Sequence, residues 1–385
     1  MQVSPGLEQL LLHHLAQVQG RRVGLITNAS SVLPDLTDTQ TALHAIGVCL
    51  VALFSPEHGL YGVEPDGAAV TSGRGPEGLP VYSLYGETCR PTPEMLASLD
   101  VLLFDIQDVG ARFYTYIWTM SLALEAAAEA GLAFIVLDRP NPLGGQASEG
   151  PVLEPEYASF VGRHPIPIRY GLTIGELAGW LNGELNLGAD LTVVPMQGWQ
   201  REMFFEDTGL PWVPPSPAMP WPASALVYPG TCLIEGTNLS EGRGTALPFH
   251  LVGAPWIDGR RLADALNRLE LAGVRFRPAV FQPAAHKWAG QRCGGVQLHA
   301  TDRRAFRPVT AGLHVLATVR ALYPDRFAWR QGSEEGERPH IDLLSGTDRV
   351  RLGLDHGASV ADLVASWAAE LDQFARNCRP YRLYA

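Results

Sequence analysis

Lysine is nearly missing from this chain. Of 29 basic residues one, Lys287, is a lysine and the remaining 28 are arginines, so no Gly-Lys-Ser/Thr of a phosphate-cradling P-loop exists anywhere in it. Cysteine is scarce as well. Cys49, Cys89, Cys232, Cys293 and Cys378 are odd in number, far apart and form no Cys-x-x-Cys pair, which argues against a disulfide framework or a zinc knuckle. Positive charge is outweighed, with 40 acidic residues against the 29 basic ones and a net charge of -11, a poor footprint for nucleic acid or anionic lipid. No apolar run approaches the roughly 18 residues needed to cross a bilayer, so no membrane span is expected. The opening stretch MQVSPGLEQLLLHHLAQ has no basic n-region and carries Glu8, His13 and His14 inside its apolar pattern; it reads as an amphipathic helix rather than a signal peptide. The expected compartment is the cytoplasm, or the periplasm or exterior if a leader has been removed.

What the chain does contain is globular: 385 residues, 46% hydrophobic and 18% charged, enough for two domains. The first half alternates apolar runs (RVGLIT, VCLVALFS, DVLLFDI, LAFIVLD, LTVVPM) with helical patterns (TQTALHAIG, EMLASL, SLALEAAAEAG, IGELAGWLNGEL), the rhythm of an α/β domain with a mainly parallel sheet buried on both faces. Between Leu210 and Gly230 lie seven prolines. Because proline interrupts both helix and ladder, this segment reads as a loop or linker, and the expected domains are 1–225 and 226–385. The second, with helical patterns around VRFRPAVF and GGVQLHA, reads as a smaller α+β domain.

In a parallel sheet, ligands gather outside the carboxyl ends of the strands. There this sequence places Asn28, then Pro56-Glu57-His58-Gly59, then Asp105-Ile106-Gln107-Asp108, then Asp138-Arg139-Pro140-Asn141. Glu57, after a buried strand and before a glycine-rich loop, suits a half-desolvated general acid; the alternative is a carboxylate capping backbone N–H groups. No His-x-x-x-His or His-x-His supports reading Glu57-His58 as metal ligands. The run Asp105 to Tyr116 combines Asp105, Gln107, Arg112, Tyr114 and Tyr116, groups that read a polyhydroxylated ligand through stacking and hydroxyl hydrogen bonds, or else are core aromatics with a neutralising arginine. The prolines beside Asp138, Arg139 and Asn141 stiffen a site or a structural turn. In the second half, Tyr228 to Thr245 sets Glu235, Asn238, Glu241 and Arg243 among glycines, where the backbone can approach a ligand closely. The alternative there is a hairpin with Glu241 paired to Arg243. Cys232 reads as a small buried residue, and His286-Lys287-Trp288 as a cation with a stacking face, or as surface. Gly73-Arg74-Gly75-Pro76-Glu77-Gly78 matches GxGxxG, but with neither the strand before it nor the helix that a dinucleotide site requires.

SPEHG with GLYG, DIQDVGARFYTY, DRPNPLGG, RYGLTIGELA and YPGTCLIEGTNLSEGRGT, in that order and spanning nearly the whole chain, resemble the NamZ-type exo-β-N-acetylmuramidases, a family long classed as a domain of unknown function. The resemblance implies a Rossmann-like first domain without a dinucleotide site, a cleft closed by the second domain, and release of N-acetylmuramic acid from the non-reducing end of peptidoglycan-derived glycans, as in cell-wall recycling. It puts the family's proposed catalytic carboxyl on Glu57. Glycoside cleavage needs a proton donor and a second group; Glu57 is the expected acid and Glu235 or Glu241 the second carboxyl, unless the substrate's own acetamido group serves. The lactyl carboxylate of muramic acid calls for a guanidinium, and Arg112, Arg139, Arg169 and Arg243 lie inside the motifs. Neither cofactor nor metal is expected. A non-catalytic glycan-binding protein and a metal-dependent hydrolase are the competing readings.

Overall fold

The computed structural model describes residues 2–75, 78–332 and 338–385; Pro76 and Glu77 of the GxGxxG match lie outside the described residues. The first half holds strands β1 (Arg22–Thr27), β2 (Cys49–Ser55), β3 (Gly73–Arg74), β4 (Pro80–Ser83), β5 (Val101–Asp105), β6 (Ala133–Leu137), β7 (Glu149–Val152), β8 (Pro167–Arg169) and β9 (Leu191–Val194), of which β1, β2, β5, β6 and β9 are the apolar runs of the sequence. Seven of them form one sheet in the order β3-β4-β2-β1-β5-β6-β9, parallel throughout except for β3. β5 is buried at every position, as a strand covered on both faces must be.

Local signals fix the covering helices. Asp38 caps Thr39–Ala45 by accepting from Thr41 N–H. Thr173 and Glu176 form a capping box on Ile174–Glu184, which satisfies two orphan donors reciprocally. The chain lays down β1, adds β2 and β4 on one side, then returns to build β5, β6 and β9 on the other. Strand order therefore reverses at β1, and a crevice opens outside the ends of β2, β1 and β5.

The second domain holds a three-stranded antiparallel sheet, β10 (Leu251–Ala254), β12 (Cys293–Ala300) and β11 (Val274–Phe281) in that spatial order, with helices Gly259–Asn267 and Pro308–Leu322. SVADLVASWAAELDQF, one pattern in the sequence, is two helices, Val360–Ser366 and Ala368–Asn377, hinged at the buried Trp367.

One expectation needs correction. The proline-rich segment is not irregular to its end: Pro222–Thr231 is a helix. Pro222 sits in the first turn, where its missing N–H is an orphan in any case, and Pro229 removes one bond close to the helix end. Positions 225 and 226, the expected junction, lie inside this helix. The two halves share a core: Phe54, Trp118, Tyr228, Phe249, Leu316 and Trp367 belong to one continuous apolar cluster. A separate cluster with Leu7, Leu10, Val23 and Leu103 covers the other face of the sheet.

Polar clamps add to that shared core. Arg112, fully buried, donates to the carbonyls of Pro151 (2.9 Å) and Ile166 (2.8 Å) on the β7–β8 hairpin and of Leu344 (2.9 Å) in the second domain. Burial pushes its guanidinium down to about 9. The tail returns to the first domain, where Tyr384 bonds Asp138 and Leu383 N–H bonds Glu176.

The helices Pro222–Thr231 and Pro308–Leu322 meet backbone to backbone. A Cβ on Gly230 would lie 1.8 Å from the Pro308 carbonyl oxygen, and one on Gly312 would lie 2.3 Å from that of Gly230. Gly230→Ala should therefore force the helices apart and lower stability by about 3 kcal/mol, the upper range for overpacking. Urea unfolding followed by circular dichroism measures it; an unchanged midpoint would show that backbone contact does not hold these helices.

Candidate active site

A cavity of about 310 Å3 opens where the strand-end loops of the first domain face the second. Glu57, two residues beyond β2, lies on its wall and is almost wholly buried. One carboxylate oxygen accepts from Gly67 N–H at 2.8 Å, the other from the Thr115 hydroxyl at 2.7 Å. His58, also on the wall, adopts a left-handed conformation with φ 69° that few non-glycine residues take; its Nδ1 lies 2.7 Å from the Glu64 carbonyl oxygen. The sharp turn this makes after the strand aims Glu57 inward while His58 holds the loop.

From the first domain come also Asp66, Tyr85, Tyr114, Thr115 and Phe160; from the second, Tyr228, Cys232, Glu235, Arg243, Phe249, Arg330 and His340. Tyr114 stands edge-on to Tyr116 and to Tyr228. Burial, with Glu57 nearby, pushes the Tyr85 hydroxyl well above the usual phenol range, so it meets a ligand as a neutral donor. Arg243 reaches Glu235 at 2.9 and 3.0 Å and Asp66 at 3.4 Å, and lies over the Phe249 ring. Burial works against its charge, but Glu235 and Asp66 outweigh burial and raise it.

Several expected site residues serve the scaffold instead. Glu241 does not reach the cavity: it is 2% exposed and ion-paired at 2.9 Å with Lys287, whose ammonium also donates to the carbonyls of Ile234 and Thr237 at 3.0 Å. Its distance from Arg243 is 3.8 Å, so Glu235 and not Glu241 is the closer partner of that guanidinium. Asp105 and Arg139 form a buried two-point ion pair at the end of β5. Gln107 donates to the Asp108 and Pro140 carbonyls, Asn141 to that of Leu172 and Asn28 to that of Pro215. Asp138 accepts from Gly175 N–H and the Thr173 hydroxyl, bracing a helix start, and burial pushes its carboxyl up to about 7. Arg169 donates to the Leu143 carbonyl, Asn238 to that of Arg326, and Tyr116 to that of Pro215. Arg112 is the clamp described above. The structure thus brings Glu57, His58, Tyr114, Glu235 and Arg243 together on one cavity, which the others do not line.

Sequence reasoning missed Asp66, Tyr85, Arg330 and His340. Asp66 follows the glycine-rich loop after Glu57 and could have been suspected from that position. Arg330 and His340 belong to no motif and reach the cavity only through tertiary packing. Among the described residues no three His, Cys, Asp or Glu side chains are arranged to hold a metal ion, and no helix is long and apolar enough to cross a membrane.

Comparison with known proteins gives the same picture of one family along the chain. Residues 23–223 match the family profile described as Exo-beta-N-acetylmuramidase NamZ, N-terminal, and residues 226–384 its C-terminal counterpart. The chain is 50% identical over 384 residues to the Peptidoglycan beta-N-acetylmuramidase NamZ of Bacillus subtilis (strain 168), covering 99% of this chain and 91% of that protein. Crystal structures of two DUF1343 family proteins from Bacteroides fragilis superpose with TM-scores of 0.91 at 42% identity and 0.79 at 30% identity, each covering 100% of this chain and 99% of the other.

The Lys287–Glu241 pair carries its own prediction. Lys287→Met leaves Glu241 a buried charge without its partner, which should destabilise the fold by about 3 to 5 kcal/mol, and adding Glu241→Gln should restore part of that loss. Guanidinium unfolding of the two variants checks it; equal stability of Lys287→Met and parent would mean that the ion pair contributes nothing.

Proposed function

This chain belongs to the NamZ exo-β-N-acetylmuramidase family, and from that premise we propose that its cavity hydrolyses the glycosidic bond of a non-reducing terminal N-acetylmuramic acid in peptidoglycan-derived glycans. The observation that carries the reading is the setting of Glu57: a nearly sealed carboxyl at a strand end, fixed by one N–H and one hydroxyl on the wall of a cavity shared by both domains. Glu57 acts as general acid. Its proton goes to the glycosidic oxygen as the bond to the anomeric carbon breaks, the bonding pair leaves with that oxygen, and water adds its hydroxyl to the anomeric carbon while its remaining proton returns to the Glu57 carboxylate and restores the acid. Glu235 is the second carboxyl of the mechanism, supported over Glu241 because it lines the cavity and is not held by Lys287. Together with Asp66 it sets negative charge near the oxocarbenium-like centre, while Arg243 balances the two in the resting enzyme. Tyr114, Tyr228 and Phe249 supply aromatic faces for the sugar's C–H surface.

Glu57→Gln tests the assignment. The amide can still accept from Gly67 N–H and can donate to the Thr115 oxygen, so stability and ligand affinity should hold while kcat on a chromogenic N-acetylmuramic acid glycoside falls about 10²- to 10⁴-fold. Turnover by the parent should survive EDTA. Near-normal turnover in the variant rejects Glu57 as the acid, loss of activity on chelation favours a metal-dependent hydrolase, and binding of the glycan without any turnover by the parent favours a non-catalytic glycan-binding protein.

A further inference from the structure

An exo-muramidase must tell muramic acid from glucosamine by one substituent, the lactyl ether and its carboxylate. The cavity is a difficult place for that anion, since Glu57, Asp66 and Glu235 all line it and the chain carries a net charge of -11. Some cation on the wall has to offset their field. None of the four arginines in the family motifs is free to do so. Arg112 and Arg169 are turned onto backbone carbonyls, Arg139 is locked to Asp105, and Arg243 is shared between Glu235 and Asp66. Lys287 is held by Glu241 behind the cavity.

Arg330 is different. It lines the same cavity from the second domain, and among the described residues no carboxylate lies within ion-pairing distance of its exposed guanidinium. Its backbone is fixed on both sides: its N–H donates to the carbonyl of Gly236, the residue after Glu235, at 2.8 Å, and its own carbonyl accepts from His340 N–H at 3.0 Å. The adjacent Trp329 is bridged to Thr237. A fixed base carrying an exposed guanidinium that no described carboxylate engages suits capture of an incoming carboxylate. His340 does not compete for it, because burial, with Arg330 and Lys287 adding to the effect against Glu235, holds its imidazole below the usual range and so favours the neutral form.

We propose that Arg330 is the specificity-determining residue that binds the lactyl carboxylate of the muramic acid ring. The assignment rests on the muramidase reading, with Glu57 on the first-domain wall meeting the glycosidic oxygen and Arg330 on the second-domain wall meeting the acid. Arg330 is exposed and makes no side-chain bond to the described scaffold, so its replacement should leave the fold intact, which a melting curve verifies.

The probes are free N-acetylmuramic acid and its lactyl methyl ester, both measured as inhibitors of hydrolysis of a chromogenic N-acetylmuramic acid glycoside. In the parent the acid should inhibit about tenfold more tightly than the ester, a size that allows for the solvent exposure of the pair. In Arg330→Ala the two should inhibit alike and KM for the glycoside should rise by a similar factor, while Arg330→Lys should keep part of the gap. A gap that persists in Arg330→Ala, or that is missing in the parent, overturns the assignment while leaving the muramidase reading standing. A parent that does not hydrolyse the glycoside removes that reading and Arg330's role with it.

Discussion

A charge taken out of water without a partner destabilises a protein by several kcal/mol, and the architecture around this cavity is a set of answers to that constraint. Parallel strands end in polar loops, and here those loops are covered by a second domain, so their charged groups must find partners inside the protein. Asp105 takes Arg139 from the next strand end. Arg112 takes three carbonyls, one of them supplied by Leu344 across the domain interface. Glu241 takes Lys287. Each pairing joins segments far apart in sequence, and the Arg112 bond to Leu344 spans the same interface as the continuous apolar core. The cavity is what remains: the place where Glu57, Asp66, Glu235, Arg243 and Arg330 still face open space.

The same crevice at a strand-order reversal that in other α/β folds receives a nucleotide is furnished differently here. After β1 the chain offers Asn28, bonded to Ser30 and to the Pro215 carbonyl, where a phosphate-binding loop would expose backbone N–H groups. Instead, the polar face is carried by the loop after β2 and by the second domain. A ligand there meets carboxylates, phenols and guanidinium groups, a chemistry suited to hydroxyls, a glycosidic oxygen and one carboxylate.

Much of this was readable in advance, and the limits have physical causes. The alternation of apolar runs and helical patterns specified the parallel sheet because period and burial are local properties of sequence. Glu57 was readable because a strand end followed by a glycine-rich turn leaves its side chain few destinations. Glu235 and Glu241 could not be told apart, being six positions apart in one glycine-rich stretch. What separates them is a short 3-10 turn, Cys232–Gly236, which sets Glu235 beside Arg243, and a lysine some fifty positions onward that claims Glu241. Asp138, Asn141 and Asp105 were expected to touch ligand because polar residues at strand ends often do; in the structure Asp138 braces a helix start, Asn141 closes a turn and Asp105 pairs with Arg139. Arg330 left no trace in any motif because its place in the cavity comes from packing alone.

The rarity of lysine has a practical side. A protease specific for lysine finds one bond to cut in the whole chain, Lys287–Trp288, and in the folded state both side chains are engaged: the ammonium by Glu241 and two carbonyls, the indole N–H by the Asn238 carbonyl. Cleavage therefore requires local opening of the loop that backs the Glu235–Arg243 wall, and its rate reports how often that loop opens rather than how often the whole molecule unfolds. With no competing sites, two fragments and no others would appear. The scarcest residue in the composition thus serves as a built-in clock for the motions of the cavity wall.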